Sequence, residues 1–322
     1  MTLNIDDTDR KILFELEKNA RIPDVKIAKI VKKSKDAVRY RIKKLEELEI
    51  ITGYKTWIDI SRLGYRAATI YLTLLNLPDR KDNLIKNIEK DKRVYWLGIS
   101  EGVWNIGISY FIKSNEELFK IKNNLLSNYK DLILETNITS LVSVSIHEKT
   151  FLTKEKSSLI TFSKETKPYQ LDTISKLVLN ELYNNSKANI AHVAHKCNTT
   201  VDVVKNRMKK LEKESVIIRY TTSIDYQKIG YEFYKSFIYL KSYNEEELNE
   251  ILKYAENSDT IINIVKQVAP WDFEFILFAK SFQEYNNAIS KLTQKFSKTI
   301  KKIETATMSQ DIIFPCQQLI FS

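Results

Sequence analysis

Residues 5–75 of this 322-residue chain align with residues 171–241 at a constant offset and without a gap. A repeat of this length constrains the fold more than any other feature, because one folding plan must then serve twice. Agreement is clearest where Tyr40-Arg41-Ile42-Lys43-Lys44-Leu45-Glu46 meets Asn206-Arg207-Met208-Lys209-Lys210-Leu211-Glu212. Ile5-Asp6 and Leu63-Gly64-Tyr65 flank it, against Leu171-Asp172 and Ile229-Gly230-Tyr231. Farther on the copies drift by about one residue, and Glu101-Gly102-Val103-Trp104-Asn105 corresponds to Val268-Ala269-Pro270-Trp271-Asp272. Between the copies, residues 153–168 are polar apart from Leu159, Ile160 and Phe162 and read as a linker.

Each copy opens with three short helices. Ile12, Leu13 and Leu16 recur at helical spacing behind Asp6, Asp7 and Asp9, acids that suit a helix N-terminus. Pro23-Asp24 opens a second helix over Val25–Val31, and Lys32-Lys33-Ser34 forms a tight turn in which Ser34 is the natural N-cap of a third helix. Helices in this order describe a helix-turn-helix. On the third, Val38, Ile42 and Leu45 share one face, so Asp36, Arg39, Tyr40, Lys43 and Lys44 point away from it. After Glu49 the period changes to two over Ile50–Ile58, with Gly53 suited to a turn or bulge, the pattern of a β-wing.

The second copy follows the same plan, with Ile174, Leu177, Val178 and Leu182 in its first helix, Ile190–His195 in its second, and Thr199 or Thr200 capping its third. Val204, Met208 and Leu211 form the apolar face of that third helix, and Asp202, Lys205, Asn206, Lys209 and Lys210 form the outer one. Lysines can pair with phosphates and an asparagine can read an adenine edge. We therefore take Ser34, Lys35, Asp36, Arg39, Tyr40, Lys43 and Lys44, with Thr200, Asp202, Lys205, Asn206, Lys209 and Lys210, as candidate contacts to double-stranded DNA. A solvated basic face on an ordinary helix would carry the same residue types; the repeat and the wing pattern favour the DNA reading.

Downstream, each copy reads strand, helix, strand, strand, helix, strand, beginning at Ala67 and at Phe233. That order is ferredoxin-like, with helices on one face of a sheet and the other face awaiting a second sheet. The expected fold is α+β: two tandem copies of a winged helix-turn-helix followed by a ferredoxin-like (βαββαβ) sensing domain. The expected boundaries are 1–60 and 61–152, a linker at 153–168, then 169–226 and 227–322.

Composition closes off other classes. Hydrophobic content of 43% with 29% charged residues is that of a soluble globular protein, and no window holds the run of about 18 apolar residues that a membrane span needs. The opening MTLNIDDTDR is acidic and lacks the apolar core of a targeting peptide. Cys197 and Cys316 lie far apart without a CxxC spacing, so a cytoplasmic setting is expected. A net charge of +10 suits a polyanionic partner. His192, His195 and Cys197 have part of a metal-ligand spacing but no fourth ligand, and neither metal nor cofactor is expected.

Helix-turn-helix, wing and ferredoxin-like domain in this order resemble the Lrp/AsnC family of transcription regulators. The resemblance rests on Asp6-x-x-Asp9-x-x-Ile12-Leu13, on Arg39 to Glu46, and on Ile51-Thr52-Gly53-Tyr54 with Asp59. It spans both repeats and is strongest in the first DNA-binding segment. It implies a regulator whose paired sensing sheets form, here, an intrachain pseudo-dimer, with further homo-oligomers as an extension. It also implies a small effector such as an amino acid near the turn between the second and third strands, at Gly102, Trp104, Asn105, Trp271 and Asp272. Large aromatics starting a strand are more often core residues, which is the competing reading of Trp104 and Trp271. The glycine that the family places between third helix and wing is replaced by Glu49 and Ser215, so that helix is expected to end differently. Two other functions fit the architecture: a sirohaem-decarboxylase-like enzyme, disfavoured by a chain with only 3 histidines, and a weakly specific architectural DNA-binding protein.

Overall fold

A computed structural model describes residues 3–153, 159–162 and 167–314 of the chain. Most of the expected linker and Cys316 lie outside the described residues. In the first copy the elements are α1 (Asp7–Lys18), α2 (Asp24–Val31), α3 (Lys35–Glu47), β1 (Ile51–Ile58), β2 (Arg66–Leu74), α4 (Pro78–Lys90), β3 (Val94–Gly102), β4 (Ile106–Ile112), α5 (Asn115–Asn128) and β5 (Ile133–His147). A short strand, β6 (Leu159–Phe162), precedes the second copy. There α6 (Thr173–Asn184), α7 (Ile190–Lys196), α8 (Val201–Lys213), β7 (Ile217–Ile224), β8 (Glu232–Leu240), α9 (Glu245–Glu256), β9 (Ile261–Val268), β10 (Phe273–Ala279), α10 (Phe282–Lys295) and β11 (Ile300–Ile313) repeat the order.

The chain divides into two compact units, and each draws on both copies. One takes in the chain up to Asp59, a return segment from His147, and Tyr169–Tyr231; the other takes in Ile60–Ile146 and everything from Glu232. The first unit holds the two helix-turn-helices, and the second holds the two ferredoxin-like halves.

In the helical unit, local chemistry sets the helix ends. Asp6 accepts from the Asp9 amide at 2.8 Å while Asp9 accepts from the Asp6 amide, a reciprocal cap that satisfies two amides with no partner inside the helix. Asp172 caps α6 by accepting from the Ser175 amide at 2.7 Å, without the reciprocal bond. Ile12, Leu13 and Leu16 are sealed, as are Val38 and Leu45. Val178, Leu182, Val204 and Leu211 are their sealed counterparts in the second copy.

The wing strands differ from a self-contained hairpin. β1 pairs antiparallel with β7, Tyr54 opposite Thr222 and Thr56 opposite Tyr220, and Gly53 sits at a shift in that register. A single strand leaves one row of amides and carbonyls unpaired, and the repeat supplies the matching edge. The interlock extends to the helices: Ser186 donates its amide to the Tyr54 carbonyl, and Ala20 donates to that of Tyr220. Each helix-turn-helix is thus finished by the strand of the other.

The expectation that the third helices end differently is corrected. Glu49 and Ser215 adopt the left-handed backbone usually given to glycine, with φ of 52° and 54°. The Ile50 amide then closes back on the Leu45 carbonyl, and the Val216 amide on that of Leu211, each at 2.9 Å. Each helix therefore stops through a left-handed residue, with a side chain in a conformation that disfavours it.

The second unit is built on a ring of strands. Its order is β2-β4-β3-β11-β8-β10-β9-β5, and β5 pairs again with β2, so the ring closes. The two long strands make this closure. β5 lies beside β2 up to Ser140 and beside β9 from there to Ile146; β11 lies beside β8 up to Thr307 and beside β3 from Ala306 onward. Each copy therefore lends its last strand to the other's sheet. Outside the ring, α4 and α5 cover one sheet through Leu84, Ile88, Ile121 and Leu125, and α9 and α10 cover the other through Ile251, Ala255, Tyr285 and Leu292. Inside it, Tyr71, Trp96, Trp104, Phe233, Phe237, Trp271 and Met308 pack together.

One charged pair lies within that aromatic interior. Lys235 Nζ stands 3.6 Å from Glu274 Oε2, with side chains 8% and 2% exposed, and 3.9 Å above the Trp96 ring. Tyr71 donates its hydroxyl to Glu274 at 2.6 Å, and Gln267 donates to the same carboxylate. In the first copy the Glu274 position is Gly107, where an added Cβ would lie 2.8 Å from the Trp96 ring. The interior is therefore asymmetric although the backbone is duplicated.

Candidate nucleic-acid interface

The residues singled out for DNA contact lie on matching surfaces of the helical unit. Ser34 accepts from the Ala37 amide at 3.1 Å and starts α3; Thr200 accepts from the Val203 amide at 3.3 Å and starts α8. These caps set the phase of each helix, so that Val38, Ile42 and Leu45, and likewise Val204, Met208 and Leu211, turn inward. Lys35, Asp36, Arg39, Tyr40, Lys43 and Lys44 are all exposed, as are Asp202, Lys205, Asn206, Lys209 and Lys210. Tyr40, a large ring with 68% of its surface in solvent, has no packing reason to be there.

The cations on these faces are held loosely. Arg39 Nε lies 3.3 Å from Asp24, Lys43 lies 3.5 Å from Glu47 one turn on, and Lys205 lies 4.0 Å from Asp202. Exposed pairs of this kind are worth about 0–1 kcal/mol and can be exchanged for phosphates. Lys210 stands 5.8 Å over the Tyr169 ring, a neighbour that the sequence pattern did not signal. Lys32 and Lys33, exposed in the turn before α3, extend the basic surface of the first copy and were likewise not singled out.

The arginines inside the most similar segment play another part. Arg41 bonds Asp6 and Asp9 at 2.8 Å each, and those hydrogen bonds hold its pKa above the usual range. Arg207 pairs with Asp172 at 3.1 Å. They tie each third helix to the N-terminus of its own first helix. Tyr54 donates to Glu46 and Tyr220 to Glu212, fixing strand against helix, and burial together with that carboxylate pushes each phenol upward. Across the copies, Arg21 donates to the Ser186 and Ala188 carbonyls at 2.6 and 3.1 Å, and Lys187 stands over the Tyr54 ring at 4.7 Å. The outer faces of both third helices are therefore carried on one interlocked support.

The residues expected to bind an effector lie in and beside the strand ring. Trp104 and Trp271 are 2% and 5% exposed and belong to the interior of the strand ring, with Tyr71 between them at centroid distances of 4.9 and 5.4 Å. They pack there as large aromatic groups, and the indole nitrogen of each is buried without a hydrogen-bond partner among the described residues. Asn105 accepts from the Leu74 amide at 2.8 Å, and Asp272 accepts from the Leu240 amide at 2.7 Å and from the Tyr243 hydroxyl. Both side chains secure the ends of neighbouring strands. Gly102 has a φ of 124°, and a Cβ there would lie 2.5 Å from the Thr305 carbonyl oxygen, so it serves a close approach of backbones.

His192 and His195 are both exposed on α7 while Cys197 is buried. Among the described residues no group of three or more His, Cys, Asp or Glu side chains could hold a metal ion, and no helix is long and apolar enough to cross a membrane.

Comparison with known proteins bears on this surface directly. The AsnC-type helix-turn-helix domain matches residues 5–46, and a winged helix-turn-helix DNA-binding domain matches residues 171–218. The HTH-type transcriptional regulator LrpA of Pyrococcus abyssi is 38% identical over 123 residues, which is 37% of this chain and 84% of that protein. Regulatory protein AsnC of Haemophilus influenzae is 30% identical over 118 residues, 37% of this chain and 79% of that one. Among solved structures, the siroheme decarboxylase NirDL superposes with a TM-score of 0.64 over 95% of this chain and 92% of its own, at 12% identity. That likeness is one of fold and extends over both repeats.

Proposed function

This chain belongs to the Lrp/AsnC family of transcription regulators, and from that premise we propose that it binds double-stranded DNA sequence-specifically as a regulator, through α3 and α8. One observation carries the reading. Both third helices present their polar, lysine-rich faces to solvent while their apolar faces are spent on the core. Phosphate contacts from lysine and arginine supply affinity and orientation, and base contacts from a few side chains supply specificity. The faces are not equivalent: Arg39 and Tyr40 stand where Lys205 and Asn206 stand in the second copy. Unequal readers on one support call for an imperfect palindrome, with half-sites about 34 Å apart.

Effector control stays part of the proposal: Asn105 and Asp272 bond neighbouring strand ends, while the buried indole nitrogens of Trp104 and Trp271 have no hydrogen-bond partner among the described residues. The same holds for further assembly of the chain into oligomers. An enzyme on this architecture is the weaker reading. The chain's 3 histidines, His147, His192 and His195, all fall in the helical unit, and the ring interior is occupied by aromatic side chains.

Selection of bound sequences from a random DNA pool, repeated at two salt concentrations, tests the proposal. Enrichment of an asymmetric motif that persists at higher salt supports it. Uniform, steeply salt-dependent binding would mark an architectural coat instead.

A further inference from the structure

The groove between the two outer helices of a ferredoxin-like half is flanked by an arginine in the first copy and by a threonine in the second, Arg93 and Thr260. In the first, Arg93 folds back at the start of β3 and grips Asp91 with two bonds, Nε to Oδ1 at 2.8 Å and a terminal nitrogen to Oδ2 at 2.6 Å. Its guanidinium also lies within electrostatic reach of Tyr110 on β4 and Glu117 on α5. The Arg93 side chain, paired with Asp91 and 35% exposed, thus lies at the mouth of this groove.

The second copy preserves the frame and lacks the arginine. Ser114 and Ser281 cap their helices through the amides of Glu117 and Glu284, each at 3.2 Å, and these glutamates accept from the Lys113 and Lys280 amides. Val94 faces Tyr110 across the sheet as Ile261 faces Leu277. Within this matching frame, Asp91 becomes Ser258, Arg93 becomes Thr260, Tyr110 becomes Leu277 and Ile121 becomes Ala288. Every one of these changes removes bulk. Ser258 keeps the turn, accepting from the Thr260 and Ile261 amides at 3.3 Å. What remains is a cleft of about 570 Å³, lined by Tyr254, Ser258, Thr260, Leu277, Glu284 and Ala288. That is the size of a small-molecule site.

We propose that this cleft binds a small guanidinium-bearing metabolite, its head group taking the place that Arg93 occupies in the first copy. Glu284, the counterpart of Glu117, supplies a carboxylate that can accept two parallel bonds from a planar cation. The Thr260 hydroxyl, bonded to Ser258 Oγ at 3.1 Å, offers a further acceptor, and Leu277 and Ala288 give an apolar floor for a methylene chain. Asp259 and Lys291 also line the cleft, so its two carboxylates outnumber its one ammonium. The inference rests on the sheet and its helices and not on DNA binding, so either can fail without the other.

Calorimetric titration of the full chain with agmatine and with arginine, against putrescine as a diamine without a guanidinium, tests it. At least one guanidinium probe should bind saturably and about tenfold or more tighter than putrescine. Agmatine alone binding would indicate a decarboxylated ligand; arginine binding better would place its carboxylate on Lys291. Ser258→Asp combined with Thr260→Arg rebuilds the ion pair and should abolish binding while raising the melting temperature. Glu284→Gln, a lighter change, should weaken binding about tenfold. No saturable binding of either guanidinium probe up to about 10 mM, or unchanged affinity in Glu284→Gln and in a folded double variant, overturns the proposal.

Discussion

Thr56 donates its hydroxyl to the carbonyl of Leu182 at 2.5 Å, although the two residues lie in different copies of the repeat. Its counterpart Thr222 makes the matching bond to Leu16 at 3.1 Å. Neither carbonyl belongs to the helix-turn-helix that supplies the threonine. The two helix-turn-helices therefore share one cooperative structure and should unfold together.

Thr56→Val removes the donor and leaves the Leu182 carbonyl buried, since the Ser186 amide next in helical register is already committed to Tyr54. A loss of about 1–2 kcal/mol is expected, read as a lower urea midpoint with one unchanged transition. Two separated transitions in the variant or the parent would contradict the shared unit.

On DNA, Arg39→Ala combined with Lys44→Ala should weaken binding and reduce the slope of log affinity against log salt by about 0.9 for each phosphate contact removed. Asn206→Ala should instead relax preference at one half-site only, by about 1–3 kcal/mol if it reads an adenine. Footprints of the two variants on the same selected operator distinguish these effects.

Ser215→Gly should stabilise the protein by roughly 1 kcal/mol, because the left-handed backbone at this exposed position penalises a Cβ that glycine lacks. Thermal denaturation with the melting temperature unchanged or lowered would show that the strain is relieved elsewhere.

Glu274→Leu strands the Lys235 ammonium among aromatic rings, and a cost of about 3–5 kcal/mol is expected. Adding Lys235→Met should recover most of it, since a buried ion pair can be replaced by apolar groups of similar size. Denaturant titration of both variants reads the difference; equal losses would mean that the lysine finds another partner.

Two buried groups in the helical unit predict opposite pH signatures. Burial, and next Lys149, pushes His147 below its ordinary value of 6.5, and its Nε2 has no hydrogen-bond partner among the described residues. Its neutral form favours the fold, so its contribution is complete above 6.5 and is lost as pH falls through the lowered folded value. Burial pushes Glu17 above 4.5 against the pull of Lys149 and Arg219, so its contribution is complete below 4.5 and is lost as pH rises through the raised folded value. Relative to the parent, His147→Gln should gain stability on acidification, and Glu17→Gln should gain it in the opposite direction. Parallel pH profiles for the parent and both variants would refute the assignments.

The third helices were legible in the sequence because their caps, Ser34 and Thr200, and their inward faces are local features. The strand order downstream was legible for the same reason. What escaped is non-local. Alternation over Ile50–Ile58 says that a strand has one buried face, but not that its hydrogen-bonding partner is Ile217–Ile224 of the other copy. Lys235 and Glu274 carry no signal of burial, since charges on a strand ordinarily face water, and only closure of the ring puts them inside. Trp104 and Trp271 were legible as a matched pair, and only the closure of the ring brings both into one buried cluster.

The Tyr71–Glu274 contact also bears on how the two halves can change. In an assembly of identical chains every substitution is made twice about the symmetry axis, so a carboxylate facing the axis would bring a second with it. Within a single duplicated chain, one half can acquire Glu274 while the other keeps Gly107 and answers with Tyr71. Covalent joining thus releases each half from mirroring its twin, and lets the halves specialise against one another.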